Sequence, residues 1–305
     1  MNPASQSSRL VDVSGVRVGH YTDAIARTGV TAVIFDKSSI ASVHVAGGAP
    51  GSQETDLLDP SCVVGGVDAI VLTGGSAFGL STAAGARKYL EERGRGFPVG
   101  PHRVPIVPAA VIFDLSEGEP VKPGPDEGYK ACADSEKPAR DEGFVGAGAG
   151  ATVGKYMGIE NRSRGGLASR SVVVEGGVSI GALMVVNSYG AIVDSGSGRI
   201  IAGPKDASGN FVSYLDSPAI APSFGNTAIG VVVTDCLLTK ADAKRVAVMA
   251  HDGLARAVNP CHTPYDGDMI FVVSTGERRM ETARLGAWAA LLVEACVVGA
   301  VRGDG

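Results

Sequence analysis

The sequence predicts an α+β fold built in layers. Three observations carry this. Short apolar, strand-like runs dominate the first two thirds of the 305 residues; the clear helical patterns come mostly late; and strict strand–helix alternation, the sign of a parallel doubly wound sheet, is missing. Glycine is the compositional outlier at 43 residues, about twice the usual share of ~7%. It falls mostly at strand ends and loops, without a G-X-Y period. Aromatic residues make up 5%, so small residues must fill tightly packed layers.

Taken along the chain, Val16–Val18, Thr31–Phe35 and Ser42–Val45 read as short strands between glycine and polar turns. Asp68–Thr73 is a buried strand that runs through Gly74-Gly75-Ser76-Ala77-Phe78-Gly79 into a helix ending near Arg93. Ala109–Leu115 is a further strand. The stretch 116–143, rich in Pro, Glu and Asp, reads as an exposed loop with a short helix after Pro125. Strands follow at Ser171–Glu175 and Val178–Val186, then a strand after Thr227. Thr239-Lys240-Ala241-Asp242 opens a helix as a capping-box variant, with Val246, Met249, Ala250, Leu254, Ala257 and Val258 on one face. Met269–Val273 is the next strand, and a long helix runs from Arg278 to about Val301. The pattern shows no internal repeat, and residues 1–305 read as one domain.

Composition narrows the function classes. Net charge is -5, with both signs interspersed. No basic stripe interleaved with aromatics occurs, which argues against nucleic-acid binding. Met1–Val11 lacks an apolar core of signal-peptide length. Cys62, Cys132, Cys236, Cys261 and Cys296 are odd in number and irregular in spacing, without a CxxC. They read as buried or free thiols of a cytoplasmic protein. Asn161-Arg162-Ser163 matches a glycosylation acceptor, a chance match without a secretory signal. Leu285–Val301 is apolar but interrupted by Glu294 and short of the ~20 residues a spanning helix needs. It reads as a core or interface helix, so no membrane partner is expected.

Several segments carry residues able to do chemistry, each with a plain structural alternative. Gly74–Gly79 misses a dinucleotide fingerprint at Ser76 and a nucleophile elbow at Phe78. It is either a tight strand-to-helix turn or a loop that lines a substrate pocket through Gly75, Ser76 and Phe78. Ala149–Tyr156 resembles a P-loop but lacks its first glycine and its Ser/Thr after Lys155. Lys155 is either solvated or a fixed cation facing developing negative charge. Asn187, at the end of an apolar strand, is a turn residue or an oxyanion donor. Asp266-Gly267-Asp268 is a solvated turn or a carboxylate pair for an ammonium group or a metal; without further convergent ligands, no metal is assigned. His262 beside this turn reads as structural, Cys261-His262 makes a weak dyad, and His251-Asp252 reads as a solvated helix face.

The most informative pair is Asn226-Thr227, after a glycine and at the mouth of the strand Ala228–Asp235. The plain reading is a turn entering a strand. The chemical reading is self-cleavage between the two residues. A new N-terminal threonine would hold a hydroxyl nucleophile and, in its α-amine, a base titrating near pKa ~7.7–8.0.

Together, Val71–Leu80, Gly146–Lys155, Val186–Gly190, Asn226–Val231 and Ala250–Ala257 with His262–Asp268 resemble one family in its own order. It contains the DmpA-type L-aminopeptidase/D-amidase-esterases, the β-peptidyl aminopeptidases and the nylon-oligomer hydrolase NylC. The resemblance runs from about Val11 to near the C-terminus. It implies an αββα sandwich of the N-terminal-nucleophile-hydrolase kind, self-cleaved into a 1–226 α chain and a 227–305 β chain. It also implies a homo-oligomer, a tetramer of αβ units, that uses no cofactor. Thr227 then matches the nucleophile, Asn187 the oxyanion-stabilising asparagine and Lys155 a lysine near the nucleophile. Asp266 and Asp268 match the pair that organises its amine. Phe78 stands where several relatives carry a tyrosine. The implied reaction cleaves short peptides, amides or esters through a Thr227 acyl-enzyme. The alternative is an unprocessed nucleotide- or ligand-binding oligomer of the same fold.

Overall fold

The computed structural model describes residues 8–137, 142–218, 220, 222 and 224–302. Most of the stretch read for a signal peptide, Met1–Ser7, lies outside them. In chain order the strands are β1 (Val16–Asp23), β2 (Thr28–Val45), β3 (Ser52–Gln53), β4 (Val67–Thr73), β5 (Phe97–Val99), β6 (His102–Val104), β7 (Ala109–Val111), β8 (Thr152–Val153), β9 (Ser163–Arg164), β10 (Gly166–Val173), β11 (Ser179–Asn187), β12 (Ala191–Asp194), β13 (Arg199–Ala202), β14 (Thr227–Cys236), β15 (Val258–Asn259) and β16 (Met269–Arg278). The helices are α1 (Thr82–Glu91), α2 (Pro125–Asp134), α3 (Lys240–Ala257) and α4 (Thr282–Arg302).

The two strands read at Thr31–Phe35 and Ser42–Val45 are one. β2 runs through both, with exposed Asp36, Lys37 and Ser38 at its midpoint. Its first half pairs with β1 and β4, and its last six residues pair with β16. The polar midpoint is where the strand leaves one sheet for the other, so a break in hydrophobicity is not a break in the strand. Conversely, Ala109–Leu115 keeps ladder pairing only as far as Val111.

Side-chain alternation sorts the core into three apolar layers. On β14, Ile229, Val231 and Val233 point to the same cluster as Ile70 and Leu72 of β4, between the sheets. Ala228 and Val232 point the other way, onto Ala250 and Leu254 of α3 and Leu292 and Val293 of α4. Ala69 and Val71 of β4 face Ala83, Ala86 and Tyr89 of α1. Because the side-chain period of a strand is two, each central strand feeds two layers at once. The result is helix–sheet–sheet–helix. Each fully buried Leu or Ile contributes roughly 1.5–3 kcal/mol to it.

α3 begins as its sequence predicts, with the Thr239 hydroxyl accepting from Asp242 N–H at 3.1 Å and the Asp242 carboxylate reaching back to Thr239 N–H at 3.1 Å. Among the described residues α4 alone is long and apolar enough to cross a membrane. It packs on α3, β10 and β11, with Leu285, Leu292, Val293 and Val297 buried.

Candidate active site

The site forms where three strand ends meet. Asn187 ends β11, Thr227 opens β14, and the two residues are partners in the antiparallel ladder. β16 lies parallel to β14 on its other side, which brings the turn before it, Asp266–Asp268, against Asn226 and Thr227. Thr227, Asn187, Lys155, Asp266, Asp268 and Asn226 are all buried, none more than 5% exposed. The solvated alternatives are thereby excluded for Lys155, Asp266 and Asp268.

Burying polar groups this deeply is costly unless they are paired, and here the pairing fixes orientation. Asn187 Oδ1 accepts from Lys155 Nζ at 2.8 Å and from Thr152 N–H at 2.9 Å. Its Nδ2 donates to the carbonyls of Gly225 and Phe113 at 3.1 and 3.2 Å. With donors on one side and acceptors on the other, the amide has one orientation, and its N–H groups face the segment before Thr227. Lys155 Nζ also donates to the Asn187 carbonyl at 3.1 Å. Burial pushes the Lys155 ammonium down to about 7, against the pull of Asp266 and Glu117, which raise it.

Asp266 accepts from Tyr189 N–H, Thr263 N–H and the Thr263 hydroxyl at 3.0, 3.0 and 2.5 Å. Burial, then the charge of Asp268, raises its pKa above the usual carboxylate range. Asp268 Oδ1 accepts from Ala228 N–H at 2.7 Å, one residue beyond Thr227. The Thr227 hydroxyl lies on the carbonyl oxygen of Asn226 at 2.5 Å. That same oxygen accepts from Gly267 N–H at 2.8 Å.

Gly267 is a site residue that sequence reasoning missed. A Cβ there would lie 2.7 Å from the Ala49 carbonyl and 2.9 Å from Thr227 Oγ1, so only glycine brings this backbone to the threonine. The signal was its place between the two aspartates. A cluster of aromatic rings was missed as well. Tyr189 lies within 5.3–6.1 Å, ring to ring, of Tyr265, Tyr156 and Tyr214, and Phe224 packs on Tyr265 at 5.4 Å. Here a signal existed: Tyr156 follows Lys155, Tyr189 is two residues after Asn187, and Tyr265 precedes Asp266.

A cavity of about 60 Å³ opens beside Lys155, lined by Phe113, Asp114, Glu117, Thr152, Arg162, Phe224 and Gly225 among others. The Gly75–Phe78 turn stands behind its wall. Gly75, at φ +82°, donates its N–H to Asp114 Oδ1 at 2.7 Å. Ser76 donates its N–H to the Ile112 carbonyl. The Phe78 ring is 58% exposed, with Lys122 Nζ 4.0 Å from its centre.

Cys261, His262 and Asp268 place three metal-ligating atoms within 4.8 Å of one another. The His262 ring and Asp268 are already bonded to each other at 2.8 Å, and burial with the two nearby aspartates raises the Cys261 thiol pKa. The cluster is therefore a hydrogen-bonded one. His251 is a correction to the solvated-face reading: only Asp252 faces solvent, while His251 is 5% exposed, because α3 packs that flank onto β2, where His251 meets the His44 carbonyl.

Four layers with a buried threonine at the head of a central strand define a protein of the N-terminal-nucleophile hydrolase fold. The solved L-aminopeptidase D-Ala-esterase/amidase of Ochrobactrum anthropi, described as a variant of that fold, matches with a TM-score of 0.71 at 20% identity, over 96% of this chain and 85% of that one. A Burkholderia sp. β-aminopeptidase matches equally, with a TM-score of 0.71 at 20% identity over 97% and 86%. Peptidase family S58 matches residues 8–301, and the chain belongs to that family. An uncharacterized aminopeptidase of Mycobacterium leprae (strain TN) is 40% identical over 90% of this chain and 80% of its own length. A 6-aminohexanoate-oligomer endohydrolase of Kocuria sp. (strain KY2) is 29% identical over 96% and 82%. The protein is a hydrolase of the aminopeptidase/amidohydrolase type. Nucleotide binding is not favoured by this membership. Nor does Gly146–Lys155 enter a helix as a P-loop does: it passes through a short 3₁₀ turn and β8, and its lysine bonds to Asn187.

Proposed function

We propose that the chain cleaves itself between Asn226 and Thr227 and that Thr227 is the nucleophile of the processed enzyme. The observation that carries this is the Asn226 carbonyl, held between Gly267 N–H and the Thr227 hydroxyl. In the precursor, Oγ1 gives up its proton and attacks the Asn226 carbonyl carbon. Gly267 N–H stabilises the oxyanion. The C–N bond breaks, the nitrogen of Thr227 takes a proton and becomes an amine, and the Asn226 acyl group sits on Oγ1 as an ester. Water hydrolyses the ester, leaving a carboxylate on Asn226 and a free hydroxyl on Thr227. Before cleavage there is no α-amine to act as base. Lys155 fits that role, since its depressed pKa of about 7 lets its neutral form be populated near neutral pH.

In the mature enzyme the α-amine accepts the hydroxyl proton. Oγ1 attacks a substrate amide or ester carbonyl, and the leaving group takes that proton. Asn187 Nδ2, released from the Gly225 carbonyl once residues before 227 move away, serves the oxyanion, a contribution of roughly 2.7–4 kcal/mol for one donor. Asp268 anchors the amine end of β14 through Ala228 N–H, and Asp266 adds negative charge beside it. The cavity lining is mixed, with Asp114 and Glu117 beside Lys155 and Arg162 and Glu117 paired to Arg162 at 2.7 Å; it suits a polar substrate, such as a short peptide or amino amide. An amide oligomer is the second class, which the endohydrolase relative favours. The αβ units assemble as a homo-oligomer, which exposed Leu215 and Phe224 near the cleavage point support. The five cysteines, all outside disulfides, support a reducing, cytoplasmic setting.

Denaturing mass spectrometry tests the core of this. Fragments 1–226 and 227–305 are expected, with one intact, inactive chain for Thr227→Ala. A single intact mass for the unsubstituted protein, or hydrolysis by the variant, moves the nucleophile elsewhere.

A further inference from the structure

Behind Asp268 runs a chain of three imidazole-bearing residues that the proposed reaction does not use. His251 Nε2 lies 3.1 Å from the backbone carbonyl of His44, on β2. His251 Nδ1 lies 3.3 Å from His262 Nε2, and His262 Nδ1 lies 2.8 Å from Asp268 Oδ2. Asp268 Oδ1 then accepts from Ala228 N–H at 2.7 Å.

The direction of these bonds can be read off the partners. A carbonyl oxygen only accepts, so His251 Nε2 carries its hydrogen. Burial first, then the neighbouring His262, pushes His251 down to about 4. It is neutral near pH 7 with a single ring proton, and its Nδ1 is a lone pair. His262 Nε2 must therefore be the donor to it. A neutral His262 would then present a bare Nδ1 to the carboxylate, lone pair against lone pair at 2.8 Å. One more proton must lie in that pair. Asp268 Oδ2 already accepts from His262 N–H at 3.2 Å and faces the Cys261 thiol at 3.8 Å, while Oδ1 holds Ala228 N–H. So many donors favour the ionised carboxylate, which puts the proton on the ring. His262 also holds a left-handed backbone, φ +55°, tolerated where its N–H and ring both close on one carboxylate oxygen.

We infer that His262 is held as an imidazolium, its second proton enforced by the neutral tautomer of His251, and that the pair are positioning residues that fix Asp268 as a carboxylate against the head of β14. The charged and titratable groups facing this chain are Asp268, Asp266 and Cys261 from the turn, His44 from β2, and Lys244 from α3. The inference rests on the reading of Thr227 as nucleophile for its functional half, since Asp268 acts only through the residue beside it.

The first test is ¹⁵N NMR of the histidine rings in the processed enzyme near neutral pH, with His262 assigned by its loss in His262→Gln. Two protonated nitrogens are expected for His262, and a hydrogen on Nε2 alone for His251. A neutral His262 in active enzyme overturns the inference while leaving the nucleophile in place. An imidazolium in protein that neither cleaves itself nor hydrolyses substrate supports the protonation state and removes the Thr227 reading. Kinetics give the second test. His251→Gln keeps a donor for His44 and an acceptor for His262, and should retain about half or more of kcat. His251→Leu removes the acceptor and should lose about tenfold in kcat with KM little changed, the rate equivalent of one charge-assisted hydrogen bond. Its pH profile should shift as His262 loses its second proton. Equal kcat in the two His251 variants overturns the directional chain.

Discussion

Gly267 N–H donates to the carbonyl oxygen of Asn226 at 2.8 Å. This bond polarises the carbonyl on which the proposed self-cleavage acts. It exists because β14 and β16 run parallel, which aligns the turn at the head of β16 with the residue before β14.

Gly267→Ala should slow self-cleavage by about 10²–10³, the usual effect of losing one oxyanion donor. The added Cβ meets the Ala49 carbonyl at 2.7 Å and Thr227 Oγ1 at 2.9 Å, so the turn must retreat from the threonine. A time course of intact and cleaved masses in freshly purified protein checks this. Cleavage at the unsubstituted rate removes Gly267 from the mechanism.

Asn187→Asp keeps the oxygen that Lys155 and Thr152 hold but turns a second oxygen onto the carbonyls of Gly225 and Phe113. Loss of the donor should cut kcat about 10²–10³-fold. Crowding acceptors against acceptors should cost about 1–3 kcal/mol of stability. Steady-state kinetics and denaturant unfolding separate the two effects.

As the base of the proposed self-cleavage, Lys155 would set the pH dependence of processing. Its folded pKa is about 7, against ~10.4 for a free lysine. Lowering the pKa of a cationic acid populates its neutral, proton-accepting form at lower pH. Self-cleavage of fresh precursor should therefore accelerate as pH rises through about 7 and level off above it. Lys155→Arg stays protonated at these pH values. Its processing should be slow and flat with pH. A rise through the same range in that variant assigns the base elsewhere.

Thr239→Ala serves as a control far from the chemistry. It removes the hydroxyl that caps α3 by bonding Asp242 N–H and its carboxylate, at a cost of about 1 kcal/mol. Tm should fall by a few degrees, while fragment masses and kcat stay unchanged.

Much of this was legible in one dimension. The capping box at Thr239, the strand at Asp68–Thr73 and the helix after Pro125 depend on neighbours a few residues apart, and they formed as local chemistry dictates. β2 was misread as two strands because a switch between sheets needs exposed residues mid-strand, and the same polar letters signal a turn. His251 was misread for a related reason. Helical spacing says which residues share a face, but not which flank a neighbouring strand will cover.

The sequence by itself determined the residue types: a hydroxyl after Gly-Asn at the mouth of an apolar strand, an asparagine ending another, a lysine after a glycine turn, and two aspartates around a glycine. Ordered resemblance added their expected partnership. Only the tertiary structure decided that Lys155 orients Asn187, that Gly267 rather than a side chain touches the Asn226 carbonyl, and that His251 and His262 stand behind Asp268. Each of these relations joins residues remote in the chain through backbone groups or ring faces. A sequence records what a side chain can donate or accept. The register of strands β11, β14 and β16 determines what it meets.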